Sequence, residues 1–417
     1  MRIAIVGAGI VGVTTAYELA QDGHEVTVFE RDASVATGTS FANAGVIAPG
    51  YVTPWAAPGM PRKVLGHLFS RHAPVRLSGL RTLALAPWIW RWWRACRPAV
   101  YQANRARMHR LARFSRERLD LLTAKHRLEY EQAQGYMVLL RGERDLAMAR
   151  GGIKLLAEMG VAFELIDADR ARAIEPGLHP ATPLRAAIHL AQDGVGNCRQ
   201  FAHALKGGAA RLGARFRFQD AVESIAPGPG VELASTSGRH AFDGVVVCAG
   251  PQAAPLLRPI GVRLPIVPVH GYSITAPLRH HDGESEAGPR SALMDETYKV
   301  AISRLGERVR VAGSAELGGS LAEVRAPAIA TLYRVLEDWF PGAAQISKVQ
   351  TWKGARPMLP DGPPVLGASG RPGVWLNLGH GSSGWALSAG SARVVADLIG
   401  GRTPSIDVEG LGIDRLA

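Results

Sequence analysis

The first apolar pattern along the chain is RIAIV at Arg2–Val6, a short β-branched run with no charge after Arg2. A strand buried on both faces of a parallel sheet reads this way. Gly7, Gly9 and Gly12 follow it. Val13–Ala20 then has a helical pattern, Gly23 ends it, and Glu25–Glu30 reads as a second strand. Farther on, 149–167 reads as helix then strand, and 167–178 as a short helix stopped by proline. Segment 191–218 reads as a turn, a helix capped near Asn197, and a strand. Segment 240–257 is a buried strand ending at Ala249-Gly250, followed by a helix start. Between 264 and 316 the period shortens. LPIVPVHGYSITAP, TYKVAISR and RVRVAGSAE alternate with glycine and proline punctuation, the mark of an antiparallel sheet. The last pieces are GARPMLPDGPPVLG (354–367) and a strand, glycine turn and helix over 374–401.

Strand–turn–helix units thus recur at the start, middle and end, with helical and antiparallel segments between them. The pattern predicts an α/β protein. A discontinuous Rossmann-like domain takes 1–86, 191–258 and 351–417. An α+β second domain with a mainly antiparallel sheet takes 87–190 and 259–350. A length of 417 residues suits two such domains.

The glycine spacing carries chemistry. Gly7 permits a tight turn, Gly9 lets backbone approach a pyrophosphate, and Gly12 lets helix and strand pack closely. Ile10 and Val11, between the glycines, join them as cofactor contacts, and the free N–H groups and positive dipole end of the helix that follows suit phosphates. Glu30, with Arg31 after it, stands at the end of the second strand, where a carboxylate accepts ribose hydroxyls. The unit occurs once and no second nicotinamide-type motif follows, which favours FAD alone over NAD.

Charge changes the picture in two places. Between Asp32 and Arg62 no side chain is charged, and the segment contains TSFANAGVIAPGY. A carboxylate there would repel the cofactor's phosphates, so the run reads as cofactor-contact surface. In contrast, 62–127 holds 16 Lys and Arg against Glu117 and Asp120, within a chain of net charge +12. Four of the nine tryptophans lie there, in PWIWRWWRACRP, a composition that suits a membrane interface or an acidic partner. An Arg-rich coding bias and aromatic core packing explain the same letters. Cys96, Cys198 and Cys248 are far apart and form no CxxC, which fits a reducing compartment. No metal cluster, Ser-His-Asp set, signal peptide or membrane span is expected.

Taken together, GAGIVG…FER, TSFANAGVIAPGY, HLAQDG, VVVCAG, GARPMLPDGPPVLG and NLGHGSSGW resemble the FAD-dependent D-amino acid oxidase superfamily. More narrowly, SFANAG…PGYVTPWAAPG, VPVHGYSIT, DETYKVAISR and LGHGSSGW are similar to bacterial D-amino acid dehydrogenases. The likeness runs over essentially the whole chain. It implies FAD, oxidative deamination of D-amino acids to 2-oxo acids and ammonia, and electrons leaving to a quinone or other respiratory-chain acceptor rather than O2. It matches Gly7, Gly9, Gly12 and Glu30 to the FAD fingerprint, and Ser40, Asn43, Ala44 and Gly45 to a loop under the pyrophosphate and flavin. Val222 matches an adenine contact and Ala249-Gly250 a second strand end at the cofactor. Gly379, His380, Gly381, Ser382, Ser383 and Gly384 match a turn at the flavin's pyrimidine end. Arg356 matches the clamp on the substrate carboxylate. Tyr272, Tyr298 and Lys299 are pocket candidates. His270 departs from the pattern, since some members carry Lys there.

The chemistry of the residues agrees with these roles. A buried carboxylate suits the planar fork of Arg356, which also reads as a structural clamp. Lys299 reads as a second anion contact or a solvated strand residue. His380 reads as a group assisting the reduced flavin or one bonding its own loop. The partners expected are a small D-amino acid, a quinone, and a membrane contacted through 62–127; nucleic acid is not among them. The expected location is cytoplasmic, peripheral on the inner face of the membrane. Sarcosine, glycine, proline or hydroxyproline as substrate keeps the fold and changes the pocket. A non-catalytic flavoprotein that binds a membrane or acidic partner is the rival of a different class.

Overall fold

The computed structural model describes residues 1–67, 75–78, 80–279 and 288–416. Residues 68–74 and 79 of the basic segment lie outside the described residues. Six strands form one sheet in the order Val365–Ala368, Val374–Leu378, Gly244–Val247, Arg2–Val6, Glu25–Phe29, Arg215–Arg217. All neighbours run parallel except the first pair. Arg2–Val6 sits inside this sheet and its side chains alternate, as a period of two requires. Ile3 and Ile5 pack on the helices Ile10–Gln21, Cys198–Arg211 and Gly384–Ile399. Ala4 and Val6 pack on the opposite face, against a three-stranded antiparallel sheet carrying Ile225 and Leu233.

The second sheet runs Gln350–Met358, Val267–Pro277, Arg308–Leu317, Val300–Leu305, Ala292–Asp295, Ala133–Leu140, Ala186–Val195, Val46–Ile47. It is antiparallel apart from the pairing of Ala292–Asp295 with Ala133–Leu140 and a short parallel strand, Val75–Leu77, beside Arg308–Leu317. Helix Ala326–Trp339 closes one face around Leu332, Val335 and Trp339.

The elements do not divide where the sequence divides them. Gln350–Met358, Val46–Ile47 and Val75–Leu77, read as parts of the nucleotide segments, are hydrogen-bonded in the second sheet. The turn expected at 191–197 is strand as far as Val195, because its ladder to Ala133–Leu140 continues that far. Helix Pro98–His126, read as part of the second domain, lies on the nucleotide half. Met108, Leu111, Leu119 and Leu122 join that core, and Arg118 donates to the fully buried Glu18 at 2.6 Å. Among the described residues no helix is long and apolar enough to cross a membrane.

Candidate functional site: two joined cavities

The carboxyl ends of Glu25–Phe29, Arg2–Val6, Gly244–Val247 and Val374–Leu378 stand side by side in the sheet. A cavity of about 920 Å³ runs along them, the expected ligand position for an open parallel sheet. It is lined by Gly7, Gly9, Ile10, Val11, Glu30, Arg31, Ser40, Val222, Ala249, Gly250, Gly379, His380, Gly381 and Gly384. Gly12 and Gly45 are absent from its wall. Their role is packing: a Cβ on Gly12 would meet Gly7 O at 1.8 Å, and one on Gly45 would meet Gly196 O at 3.0 Å. Gly7 has φ +100°, and a Cβ there would sit 2.9 Å from Cys248 O.

Local hydrogen bonds hold this wall in shape. Ala8 N–H donates to Glu30 Oε2 at 2.6 Å and Asp32 N–H to Oε1 at 3.0 Å, which fixes the carboxylate at the strand end. Ile10 N–H donates to Ser40 Oγ at 3.0 Å, joining the helix start to the uncharged run. The other first-turn N–H groups have no intrahelical acceptor, so the turn presents donors and a positive dipole end. A channel walled by glycine backbone, with the Glu30 carboxylate and the donors of a helix start in its lining, fits FAD.

The uncharged run now has a physical explanation. It threads between the two sheets, and its carbonyls are taken one after another. Ser273 Oγ donates to Ala42 O, Arg310 Nη1 to Asn43 O, Ser303 Oγ to Ala44 O and Trp385 Nε1 to Gly45 O. Burial pulls the Arg310 pKa down to about 10, and its planar fork spans Asn43 O and Thr275 Oγ1. A charged side chain in the run would find water excluded and most local acceptors used.

A second cavity of about 590 Å³ shares Ile10, Ser40, Trp352, Gly354 and Gly381 with the first. Asn43, Ala44, Ser382, Ser383, Tyr272, Lys299 and Arg356 line it. So do residues that the sequence did not single out: Tyr51, Arg105, Tyr136, Glu296, Trp352 and Trp385. Tyr51 closes the uncharged run, and Glu296 and Trp385 lie inside quoted motifs without a role assigned to them; Arg105, Tyr136 and Trp352 come from segments that carried no motif.

Arg356 enters from strand Gln350–Met358, and its guanidinium lies across Gly271, where a Cβ would come within 2.3 Å of Nη2. Opposite Gly271 the neighbouring strand bulges, placing both Ser314 and Ala315 against one residue. Ser314 adopts φ +59°, uncommon for a residue with a side chain, and its carbonyl accepts Arg356 Nη1 at 2.9 Å. Among the described residues no acidic side chain pairs with Arg356. Burial pulls its pKa down to about 10, so it stays a cation at neutral pH.

The remaining candidates divide. Tyr272 lines the cavity, but its hydroxyl donates to Glu316 Oε2 at 2.6 Å. Burial would raise Glu316, yet Lys353, Ser78, Tyr272 and Arg325 together hold it down to about 2. Lys299 lines the cavity and pairs with Glu296, whose other oxygen accepts Tyr51 Oη at 2.9 Å. Tyr298 lines neither cavity; it packs against the core beneath helix Ala326–Trp339, with the Arg141 and Arg334 guanidinium groups over its ring. His380 is buried, burial pulls its pKa down to about 3, and its Nε2 meets Ser391 Oγ at 3.0 Å. It is therefore neutral and tied to its own helix. His270 lines the cofactor cavity with Nδ1 lacking a partner.

Comparison with known proteins agrees with this geometry. The chain is 45% identical to a D-amino acid dehydrogenase of Cereibacter sphaeroides, over 100% of this chain and 96% of that one. It is 43% identical to one of Rhizorhabdus wittichii, over the whole of both. The fold is similar to glycine oxidase from Geobacillus kaustophilus (TM-score 0.74, 24% identity, 99% and 97% of the chains). It is also similar to L-proline dehydrogenase from P. horikoshii (TM-score 0.76, 18% identity, 100% and 97%). The model of the DAO family, FAD dependent oxidoreductase, matches residues 2–398. With its fingerprint, its joined cavities and this match along nearly its full length, the chain belongs to the DAO family of FAD dependent oxidoreductases.

Proposed function

We propose that the chain oxidises D-amino acids to 2-oxo acids and ammonia and passes the electrons to a quinone or another acceptor that is not O2. The observation that carries this reading is Arg356, a half-buried guanidinium with no carboxylate partner among the described residues, opening on the cavity that joins the cofactor channel. Two relatives above 40% identity bear the D-amino acid dehydrogenase name.

In this reading Gly7, Gly9, Glu30, Ser40, Ala249 and Gly379 would hold FAD, which would supply the hydride acceptor for the substrate Cα. Arg356 binds the substrate carboxylate through its fork, and Ser314 O and Gly271 fix where that fork lies. Trp352 and Trp385, which line the cavity, exclude water around the reacting carbon. The start of helix Gly384–Ile399, through its N–H groups and dipole, supports negative charge at the adjacent end of the cofactor cavity. The amine gives up its proton before hydride leaves. The resulting imine takes up water and releases ammonia. Per turnover, substrate loses two electrons and two protons, and the acceptor gains two electrons.

The deciding experiment is an anaerobic panel of D-, L-, N-methyl and cyclic amino acids scored by loss of flavin colour, followed by reoxidation with a quinone analogue or air. Reduction by D-amino acids with little peroxide in air supports the reading. Reduction only by N-methyl or cyclic amino acids overturns the substrate, and stoichiometric peroxide overturns the acceptor.

The basic segment supports a peripheral membrane reading for the acceptor side. In helix Ala86–Ala95, Trp88 is buried and Trp92 packs inward, whereas Trp90 and Trp93 are 56% and 52% exposed with ring centroids 5.0 Å apart. Arg91, Arg94 and Arg97 are exposed beside them. Exposed indoles flanked by guanidinium groups suit an anionic interface.

A further inference from the structure

We infer that the substrate cavity holds a second carboxylate, bound by Arg105, so that the favoured substrates are D-amino acids with an acidic side chain. The inference rests on the D-amino acid reading above and concerns only which side chain that cavity accepts.

Arg105 projects from helix Pro98–His126 and is 5% exposed, yet lines the same cavity as Arg356. Its Nη1 donates to Tyr101 Oη at 3.2 Å, and its Nε is buried without a partner. Among the described residues no acidic side chain lies within ion-pair distance. A buried guanidinium without a counter-charge is costly unless something that enters the cavity supplies one.

The charges lining the cavity lead to the same ligand. They are Arg105, Lys299 and Arg356 against Glu296, a net charge of +2. Glu296 is already matched, by Lys299 and by Tyr51 Oη. An amino acid with its amine neutral, as hydride release requires, brings one negative charge when its side chain is uncharged and two when it ends in a carboxylate. Only the second neutralises both guanidinium groups. Tyr136 stands in the same wall, its ring 5.5 Å from that of Tyr51, with its buried hydroxyl lacking a partner. Apolar Met148, Leu156 and Met294 complete the wall and lower the local dielectric, which strengthens a charge pair formed there.

The test titrates the FAD-loaded protein with glutarate and with valerate, read through the flavin's visible spectrum. The two acids match in length and differ by one carboxylate. Glutarate is expected to bind about 30-fold or more tightly than valerate, the usual scale for a desolvated charge pair. Arg105→Met is expected to bind the two alike. Arg105→Lys, which keeps the charge without the fork, is expected to retain part of the difference and serves as the probe if the Met variant does not fold. Turnover should favour D-glutamate over D-glutamine in the same order. Equal binding of glutarate and valerate by the unmodified protein overturns the inference. So does an equal loss of both ligands in either variant. Flavin reduction by D-alanine without any dicarboxylate preference defeats this inference and leaves the reaction standing. Absence of reduction by every D-amino acid defeats the reaction, whatever glutarate does.

Discussion

Gly271→Ala tests whether the fold positions Arg356 for substrate. A Cβ at this residue would lie 2.3 Å from Arg356 Nη2, 2.6 Å from Cζ and 3.0 Å from Nη1. Ordinary contact begins near 3.4 Å, so the guanidinium must move by at least 1.1 Å, the difference between 3.4 and 2.3 Å. Gly271 does not have positive φ, so alanine meets no backbone penalty and the perturbation acts on the guanidinium. The same displacement stretches the 2.9 Å bond to Ser314 O. A misplacement of that size in a binding group costs roughly 100-fold, or about 2.7 kcal/mol. The assay is the anaerobic reductive half-reaction, with substrate dissociation constant and limiting rate measured separately. A weakened dissociation constant, with FAD content and melting temperature retained, is the expected result. Unchanged substrate affinity would refute the argument that Arg356, in the position held by Gly271 and Ser314, binds the carboxylate.

Three further outcomes follow from other parts of the molecule. Glu30→Ala removes the acceptor of the Ala8 and Asp32 N–H groups as well as the ribose contact, and should weaken FAD retention by about 1–3 kcal/mol, measured by fluorescence titration of the apoprotein. Asp193 is buried with Oδ2 unpartnered, and burial pushes its pKa up to about 7. The folded protein thus holds a proton that the unfolded chain releases near pH 4, and stability falls as pH rises from there to about 7. Asp193→Asn should therefore melt higher than the unmodified protein at pH 8, by on the order of 2–4 kcal/mol, with the gap closing near pH 4. Trp90→Ala with Trp93→Ala should abolish salt-sensitive sedimentation with anionic liposomes while turnover with a soluble acceptor persists; persistent sedimentation of the variant would assign membrane binding elsewhere.

The parts legible in the sequence are those whose physics is local. RIAIV, the glycine spacing and Glu30 encode one contiguous strand–turn–helix–strand unit, and the structure keeps its order. The cap at Asn197 follows from a side chain that accepts from N–H groups two and three residues on. Antiparallel pairing of Val267–Pro277, Val300–Leu305 and Arg308–Leu317 was legible from short runs punctuated by glycine and proline, although these strands are buried on both faces. The second cavity was largely illegible. Tyr51, Arg105, Tyr136 and Glu296 meet only through the tertiary fold, and each resembles an ordinary core or surface residue in its own segment. Tyr272 and Tyr298 looked equivalent as letters and pack on the same core, yet only Tyr272 also lines the cavity. The Trp-rich helix shows the same limit. Its period is visible, but which two indoles face outward depends on the body it packs against.

The most direct test of the central claim is anaerobic mixing of the FAD-loaded protein with paired enantiomers, beside Arg356→Met in the same buffer. D-amino acids are expected to bleach the flavin and their L-enantiomers to leave it oxidised, while Arg356→Met binds FAD normally but is bleached only at far higher substrate concentration. A flavin that no D-amino acid reduces, or an Arg356→Met variant reduced with unchanged affinity, would contradict it.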